Sequence, residues 1–298
     1  MATDKELQSK VIDFLRFPLI VGVIFIHNYG STANIPEMAS ITGHTPVYHI
    51  CSELFSHILG SVAVPLFFFI SGFLFFRNTG FDKQCYVKKL NNRAKSLLVP
   101  YLFWNISTLI FFFTITDTPL LNVFSGTSPK FSLQYISGAL FQSREMLAYQ
   151  FWFVRNLIVV VILSPVIYLY VKKFDIYGIL LLGVLWFFWE EGFGKTSIQT
   201  IFFPVGAWFG MNGRDLVKDT VKFKSLSSVL YPLMVVADLL TKGHSGYLYI
   251  HNARVIIGLL FAFNIGLSSV WTTVPMRRKS PERAKDFSPT CSVAECGV

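Results

Sequence analysis

Three ionisable residues in the first apolar segment have a spacing that could support catalysis. Asp13 and Arg16 are three positions apart, and His27 follows Arg16 by eleven residues. Eleven residues at 3.6 per turn are within about 20° of a whole number of turns, so the three side chains share one helix face. At 1.5 Å per residue, His27 lies about 16 Å further along the axis than Arg16. A neutral imidazole is the most usual general base near pH 7, so His27 is a candidate base.

Structural interpretations of the same residues stay open. Asp13 and Arg16 can form an ion pair at a membrane interface, and His27 can be a histidine at a helix end that bonds to a loop. Trp152, Arg155 and Asn156 begin a later apolar segment. They are candidates for substrate binding, while a Trp and an Arg at such a position are also ordinary interface anchors.

The second apolar segment combines Pro65 with the pair Ser71 and Gly72. Proline kinks a helix, and small residues allow a close helix contact, which is the structural interpretation. A small polar patch could also accept an extended, amide-rich arm such as pantetheine. Asp238 and Asn264 fall in later apolar segments, where we expect hydrogen bonds within a bundle rather than catalysis.

The composition predicts the elements that must position these residues. The chain is 53% hydrophobic and only 14% charged, and its mean hydropathy is +0.52. Because about 20 mostly apolar residues cross a bilayer as a helix, the sequence predicts an all-α polytopic membrane bundle with about eight transmembrane helices. The predicted spans are 11–28, 56–76, 97–116, 151–171, 175–190, 198–212, 225–241 and 253–271.

The basic residues predict the orientation of the bundle. With the N-terminus in the cytoplasm, nineteen of the 26 Lys and Arg residues fall on the cytoplasmic side and five, including Lys242 and Arg254, on the other. Such a bias places both termini inside the cell. We expect one membrane domain, residues 1–272, and a cytoplasmic tail, residues 273–298. The long external loop, about 117–150, is expected to be a partly ordered cap or a re-entrant segment.

Composition and spacing also argue against some functions. The net charge of +9 comes from short loops between apolar runs, so membrane lipids rather than nucleic acid are the expected partners. The histidines lack the spacing of metal ligands, and the four cysteines form no CxxC pair. We therefore expect no metal, no permanently bound cofactor and no disulfide framework.

Five features together resemble the acyltransferase-3 family of integral membrane O-acyltransferases. They are Asp13, Arg16 and His27; the Phe-rich run Val64–Phe73 that contains Ser71 and Gly72; the basic stretch from Lys88 and Lys89 through Arg93 to Pro100 and Tyr101; Trp152 and Phe153 leading to Pro165; and the run Phe202–Trp208. Each is weak alone, but their order is specific. The resemblance covers about residues 10–290.

This resemblance implies transfer of an acyl group, commonly acetyl from acetyl-CoA, to a hydroxyl of a carbohydrate or lipid-linked saccharide. His27 would be the base or acyl relay, with Arg16 and Asp13 as its charged partners. Arg93, Lys88 and Lys89 would face the CoA phosphates, and a bacterial cytoplasmic membrane is the implied location. CoA is polyanionic, and this stretch is the densest basic cluster on the predicted cytoplasmic side.

Two other interpretations remain. The family usually has about ten spans, and from Cys291 to Val298 the composition changes abruptly, as in a truncated or frame-shifted end. An inactive remnant is therefore one alternative. The other is a transporter or exporter of a lipid-linked saccharide, since transporters also place charges within the membrane. The acceptor, the acyl chain and the oligomeric state do not follow from the sequence.

Overall fold

A computed structural model of the chain describes residues 4–27, 35–77, 82–115, 149–188 and 199–273. Within these ranges the regular structure is helical and contains no strand, which confirms the all-α fold. The α-helices are α1 Asp4–Ile26, α2 Ile35–Thr42, α3 Pro46–Ser52, α4 Gly60–Phe76, α5 Lys83–Arg93, α6 Val99–Ile115, α7 Trp152–Ile162, α8 Ser164–Phe188, α9 Phe202–Met211, α10 Leu216–Val221, α11 Lys224–Thr241 and α12 Tyr247–Thr273.

Four helical runs are long and apolar enough to cross a membrane. They are Pro46–Phe76, Lys83–Ile115, Lys224–Thr241 and Tyr247–Thr272, and α7 with α8, bent by 65° at their junction, can make a fifth. The other predicted spans coincide with shorter or more charged helices. Helix α1 contains Lys10, Asp13 and Arg16, and α9 has only ten residues. The predicted loop at 117–150 and tail at 273–298 fall almost entirely outside the described residues.

Helix α4 forms the centre of the bundle and packs most closely against α9. A Cβ atom built on Gly72 would lie 2.1 Å from the Phe203 carbonyl oxygen, and one on Gly206 would lie 1.9 Å from that of Phe69. Backbone therefore meets backbone at this crossing, because only glycine allows such an approach. On another side of α4, Gly60 meets α1 at Gly22.

Two π-helical segments interrupt the regular helices. Glu53–Leu59 precedes α4, and Ala94–Leu98 joins α5 to α6. In the first, Arg254 Nη1 donates to the carbonyl oxygen of Ile58 at 2.6 Å, and an inserted side chain opens a helix ladder. After the second comes Pro100, which has no N–H to donate to the carbonyl one turn earlier. π-helical turns often occur at functional sites.

The predicted boundary between the fourth and fifth spans coincides with a break inside α8. Asp175 has φ 45° and ψ −135° there, so the helix changes direction. Tyr170 donates from its hydroxyl to the carbonyl oxygen of Gly178 at 2.9 Å. Trp208 Nε1 donates to Asp175 Oδ1 at 2.5 Å, which ties the break to α9.

Candidate active site

The predicted ion pair on α1 is present. Arg16 Nη1 lies 2.8 Å from Asp13 Oδ1, and both side chains are more than half exposed. The neighbouring face of α1 carries the buried residues Val11, Leu15 and Leu19, which join the core. The apolar face of α1 therefore packs against the core, and the ion pair lies on the exposed side of the helix.

Arg93 joins this pair from a distant part of the chain. It ends α5, directly before the second π-helical segment. Its guanidinium is partly buried and lies close enough to Arg16 for the two positive charges to repel each other. The arginine cluster, which we define as Asp13, Arg16 and Arg93, thus unites one predicted cofactor-binding residue with two predicted catalytic ones. Two positive charges and one negative charge favour an anionic ligand.

Arg155 lies near the beginning of α6. Its charge acts on the buried phenol of Tyr101, in the first turn of α6. Helix α7 also packs against α5 and the second π-helical segment, and Phe153 meets Phe67 of α4 with ring centroids 6.0 Å apart. Arg155 therefore lies on the same side of the bundle as the second π-helical segment. Helix α7 begins level with the middle of α4.

The other two predicted substrate-binding residues are engaged within the protein. Asn156 is buried, and its Oδ1 accepts hydrogen bonds from Arg155 Nε at 3.2 Å and Nη2 at 2.8 Å. Trp152 packs against the core rather than standing free as an interface anchor. The structure thus holds all three residues near α6 and the core.

The predicted phosphate-binding lysines differ in their surroundings. Lys88 is exposed on α5. Lys89 donates a hydrogen bond to the carbonyl oxygen of Phe75, and its ammonium lies 5.3 Å from the centroid of the Phe75 ring. Lys89 therefore connects α5 to the last turn of α4, where a positive charge also interacts favourably with the helix dipole. Arg93 and Lys88 remain the stronger candidates for a phosphate contact.

Ser71 and Gly72 support the structural interpretation. The face of Gly72 that lacks a side chain is filled by the backbone of Phe203 and Ala207. No room is left there for a pantetheine arm, so the predicted cofactor contact at Gly72 is not supported. Ser71 is partly buried beside this crossing.

His27 is the first residue after α1, and its backbone N–H donates to the carbonyl oxygen of Ile24 at 3.3 Å. The side chain is partly buried. Ile26, its neighbour, packs against Gly60 at the start of α4. His27 therefore marks one end of the bundle, which we call the His27 end.

A second polar group, which the sequence analysis did not identify, lies at the same end. We define the histidine cluster as Glu53, His57, Asp238, Lys242, His251 and Arg254. Arg254 Nε donates to Asp238 Oδ2 at 2.5 Å, and Lys242 forms an ion pair with Glu53. Lys242 and Arg254 are buried, although both were counted on the external side. Arg254 is buried because α12 begins at Tyr247, earlier than predicted.

Helical spacing indicates three pairs within this cluster, but not that the pairs meet. Glu53 and His57 are four residues apart, Asp238 and Lys242 are four apart, and His251 and Arg254 are three apart. Each pair therefore shares a helix face. The prediction that Asp238 and Asn264 bond within the bundle is consistent with the structure, where Asn264 donates to the Thr220 carbonyl at 3.3 Å. In the described part of the chain, no three His, Cys, Asp or Glu residues are grouped as metal ligands would be.

Comparisons with known proteins agree on one family. A model described as an acyltransferase domain, that of acyltransferase-3, matches residues 10–286. The succinoglycan biosynthesis protein ExoH of Rhizobium meliloti (strain 1021) is 26% identical over 167 residues, which are 56% of this chain and 44% of that protein. The match thus spans less than half of the relative's length. No solved structure matches the chain.

Proposed function

The chain belongs to the acyltransferase-3 family, and from this we propose that it is an integral membrane O-acyltransferase. The donor is acyl-CoA, with acetyl-CoA as the first candidate, and the acceptor is a hydroxyl of a surface carbohydrate or a lipid-linked saccharide. The name of the relative, which refers to succinoglycan biosynthesis, supports a saccharide acceptor. The apolar helical runs support a location within the membrane.

The observation that carries this proposal is the arginine cluster. The guanidinium group of Arg93 lies within electrostatic range of that of Arg16, and neighbouring positive charges favour an anion that binds between or beside them. CoA carries several phosphate charges, and arginine binds phosphate with paired hydrogen bonds. Lys88, exposed on the same helix as Arg93, can add a further positive charge.

In the proposed reaction, the acceptor oxygen attacks the carbonyl carbon of the thioester. A C–O bond forms, the C–S bond breaks, and CoA leaves as a thiolate that takes up a proton. A sugar hydroxyl is a poor nucleophile at neutral pH, so a base must accept its proton as the bond forms. We assign this role to His27. Arg16 and Asp13 belong to the proposed donor site, and Arg16 lies about 16 Å from this base along α1.

The test uses the purified chain in sealed lipid vesicles, with radiolabelled acetyl-CoA on one side and a glycolipid acceptor on the other. Transfer of label to the acceptor supports the proposal, and a catalytically dead Arg93→Ala/His27→Gln double variant provides the background. Movement of unmodified glycolipid across the bilayer, without labelling, would instead favour the exporter. A cell that lacks the protein should lose an acyl group from its surface glycans, as measured by mass spectrometry.

A further inference from the structure

The histidine cluster lies at the His27 end, apart from the arginine cluster in sequence and in the elements that build it. The first π-helical segment contributes Glu53 and His57, α12 contributes His251 and Arg254, and α11 with its C-cap contributes Asp238 and Lys242. Three elements thus converge on one group of charges. The proposed donor site uses none of these residues.

The cluster has a buried floor and a partly exposed rim. Asp238 and Arg254 are 2% and 0% exposed, and Glu53 and Lys242 are equally inaccessible. His57 and His251 are partly exposed above them, with ring centroids 5.8 Å apart. Burying two ion pairs in a bundle of apolar helices contributes little net stability, because desolvation offsets the attraction. Packing alone therefore does not explain this arrangement.

Within the described ranges of the chain, two buried polar atoms of the cluster have no hydrogen-bond partner. They are Oδ1 of Asp238 and Nδ1 of His57. Buried polar atoms are nearly always bonded, so two exceptions within one cluster need an explanation, such as a bound ligand or a water. A carboxylate oxygen accepts a hydrogen bond, and a ring nitrogen can accept or donate one, depending on the tautomer. A hydroxyl group can both donate and accept, so it has the chemistry to bond to either atom.

His251 can form a hydrogen bond with a hydroxyl group in either of its protonation states. Its Nδ1 lies 3.2 Å from Arg254 Nη2, 3.3 Å from the Tyr247 hydroxyl and 3.4 Å from Asp238 Oδ2. Without a proton, Nδ1 accepts from Arg254 or Tyr247. With a proton, Nδ1 donates to the Asp238 carboxylate. The ring is therefore held in place while its other nitrogen, Nε2, is either a donor or an acceptor.

We propose that the histidine cluster is a binding site for a hydroxyl-rich ligand, with the partly exposed His57 and His251 as its contact groups and the buried Asp238 as the carboxylate that orients His251. In the proposed function this ligand is the saccharide acceptor, and that assignment rests on the acyltransferase proposal. The site lies at the same end of the bundle as His27, the proposed base. Acceptor recognition then belongs to the His27 end, instead of to Trp152, Arg155 and Asn156.

The experiment measures sugar binding without turnover. The full chain in lipid nanodiscs is mixed with maltotetraose, and saturation-transfer difference NMR detects the bound sugar. We expect His57→Gln and His251→Gln each to weaken binding about tenfold, the usual effect of losing one hydrogen bond to a partly charged group. His244→Gln is the matched control, since His244 is exposed in the turn between α11 and α12. Acetyl-CoA binding, measured in the same way, should stay unchanged in all three variants.

A measurement on the unaltered protein covers the case in which a variant does not fold. Diethyl pyrocarbonate modifies accessible histidines, and peptide mass spectrometry reads each site. Maltotetraose should slow modification of His57 and His251 at least threefold and leave His244 unaffected. Equal modification with and without sugar, or undiminished binding by both variants, overturns the site. Sugar binding here, together with a chain that never transfers acetyl in vesicles, would uphold the site and refute the acyltransferase.

Discussion

The guanidinium groups of Arg16 and Arg93 lie close enough to repel each other, although α1 and α5 are separated by the whole of α4. Neither the apolar periodicity nor the local charge pattern of the sequence predicts that these two side chains lie close together. It arises because α1 and α5 pack on the same bundle. If the cluster serves the CoA phosphates, its residues should affect the donor and not the acceptor.

We expect Arg93→Ala to raise the KM for acetyl-CoA by about 10-fold to 150-fold, since a charge-assisted hydrogen bond contributes about 1.5 to 3 kcal/mol. Lys83→Ala is the control, because Lys83 is exposed on the same helix. Initial rates at varied donor concentration give the measurement. An unchanged KM for the donor would remove Arg93 from the phosphate site.

His27→Gln should lower kcat by about 10² to 10⁴, because glutamine keeps a hydrogen-bonding side chain but cannot accept a proton near pH 7. Binding of acetyl-CoA should be retained. Single-turnover rates and equilibrium donor binding separate the two effects. Transfer at a near-normal rate would leave His27 as a structural residue at the end of α1.

Gly206→Ala should destabilise the fold by more than about 3 kcal/mol, the upper part of the usual range for overpacking. The added Cβ would lie 1.9 Å from the carbonyl oxygen of Phe69, and backbone cannot move aside as a side chain can. Gly183→Ala is the control, since no atom of the described residues lies within 4 Å of its Cβ position. Thermal unfolding in detergent, followed by tryptophan fluorescence, compares the two. Similar midpoints would contradict the close helix crossing.

Asp238→Asn should cost about 3 to 5 kcal/mol, because it leaves the buried charge of Arg254 without its carboxylate. The double variant Asp238→Asn/Arg254→Met should be less destabilised than Asp238→Asn alone, since it removes the uncompensated charge. The midpoints of thermal unfolding provide the comparison. Additive losses in the double variant would mean that the two residues do not act as a pair.

A membrane-impermeant maleimide should label Cys51 from outside intact cells and Cys85 only after the cytoplasmic face is opened. The bias in basic residues predicts this result, and both cysteines are free thiols with at least partial exposure. Single-cysteine variants, with the other three changed to serine, isolate each signal. Labelling of Cys85 from outside would reverse the proposed orientation.

Much of the bundle could be predicted from local pattern. Runs of apolar residues identify the helices, and the small residues around Gly72 indicate a close crossing. The break at Asp175 also falls where two predicted spans meet. These features depend on neighbours in the sequence, which is why the sequence contains them.

The depth of Arg155 and the histidine cluster could not be predicted in this way. The position of Arg155 along the bundle depends on which turn of α4 packs against α7. The contact of Phe67 with Phe153 determines that turn. The pairing of Lys242 with Glu53 likewise joins residues from opposite ends of the chain. Spacing could show that these residues share helix faces, but not which faces meet.

The glycine crossing between α4 and α9 limits how this protein can move. Two helices in backbone contact cannot slide or rotate past each other, because carbonyl groups of one occupy the space beside the glycines of the other. Helices α4 and α9 therefore form one rigid unit. A long donor arm must enter the protein, and a modified saccharide must leave it. Any opening for them must then come from other helices that move relative to this rigid unit. Helix α7, bent by 65° against α8, is the part best placed to move.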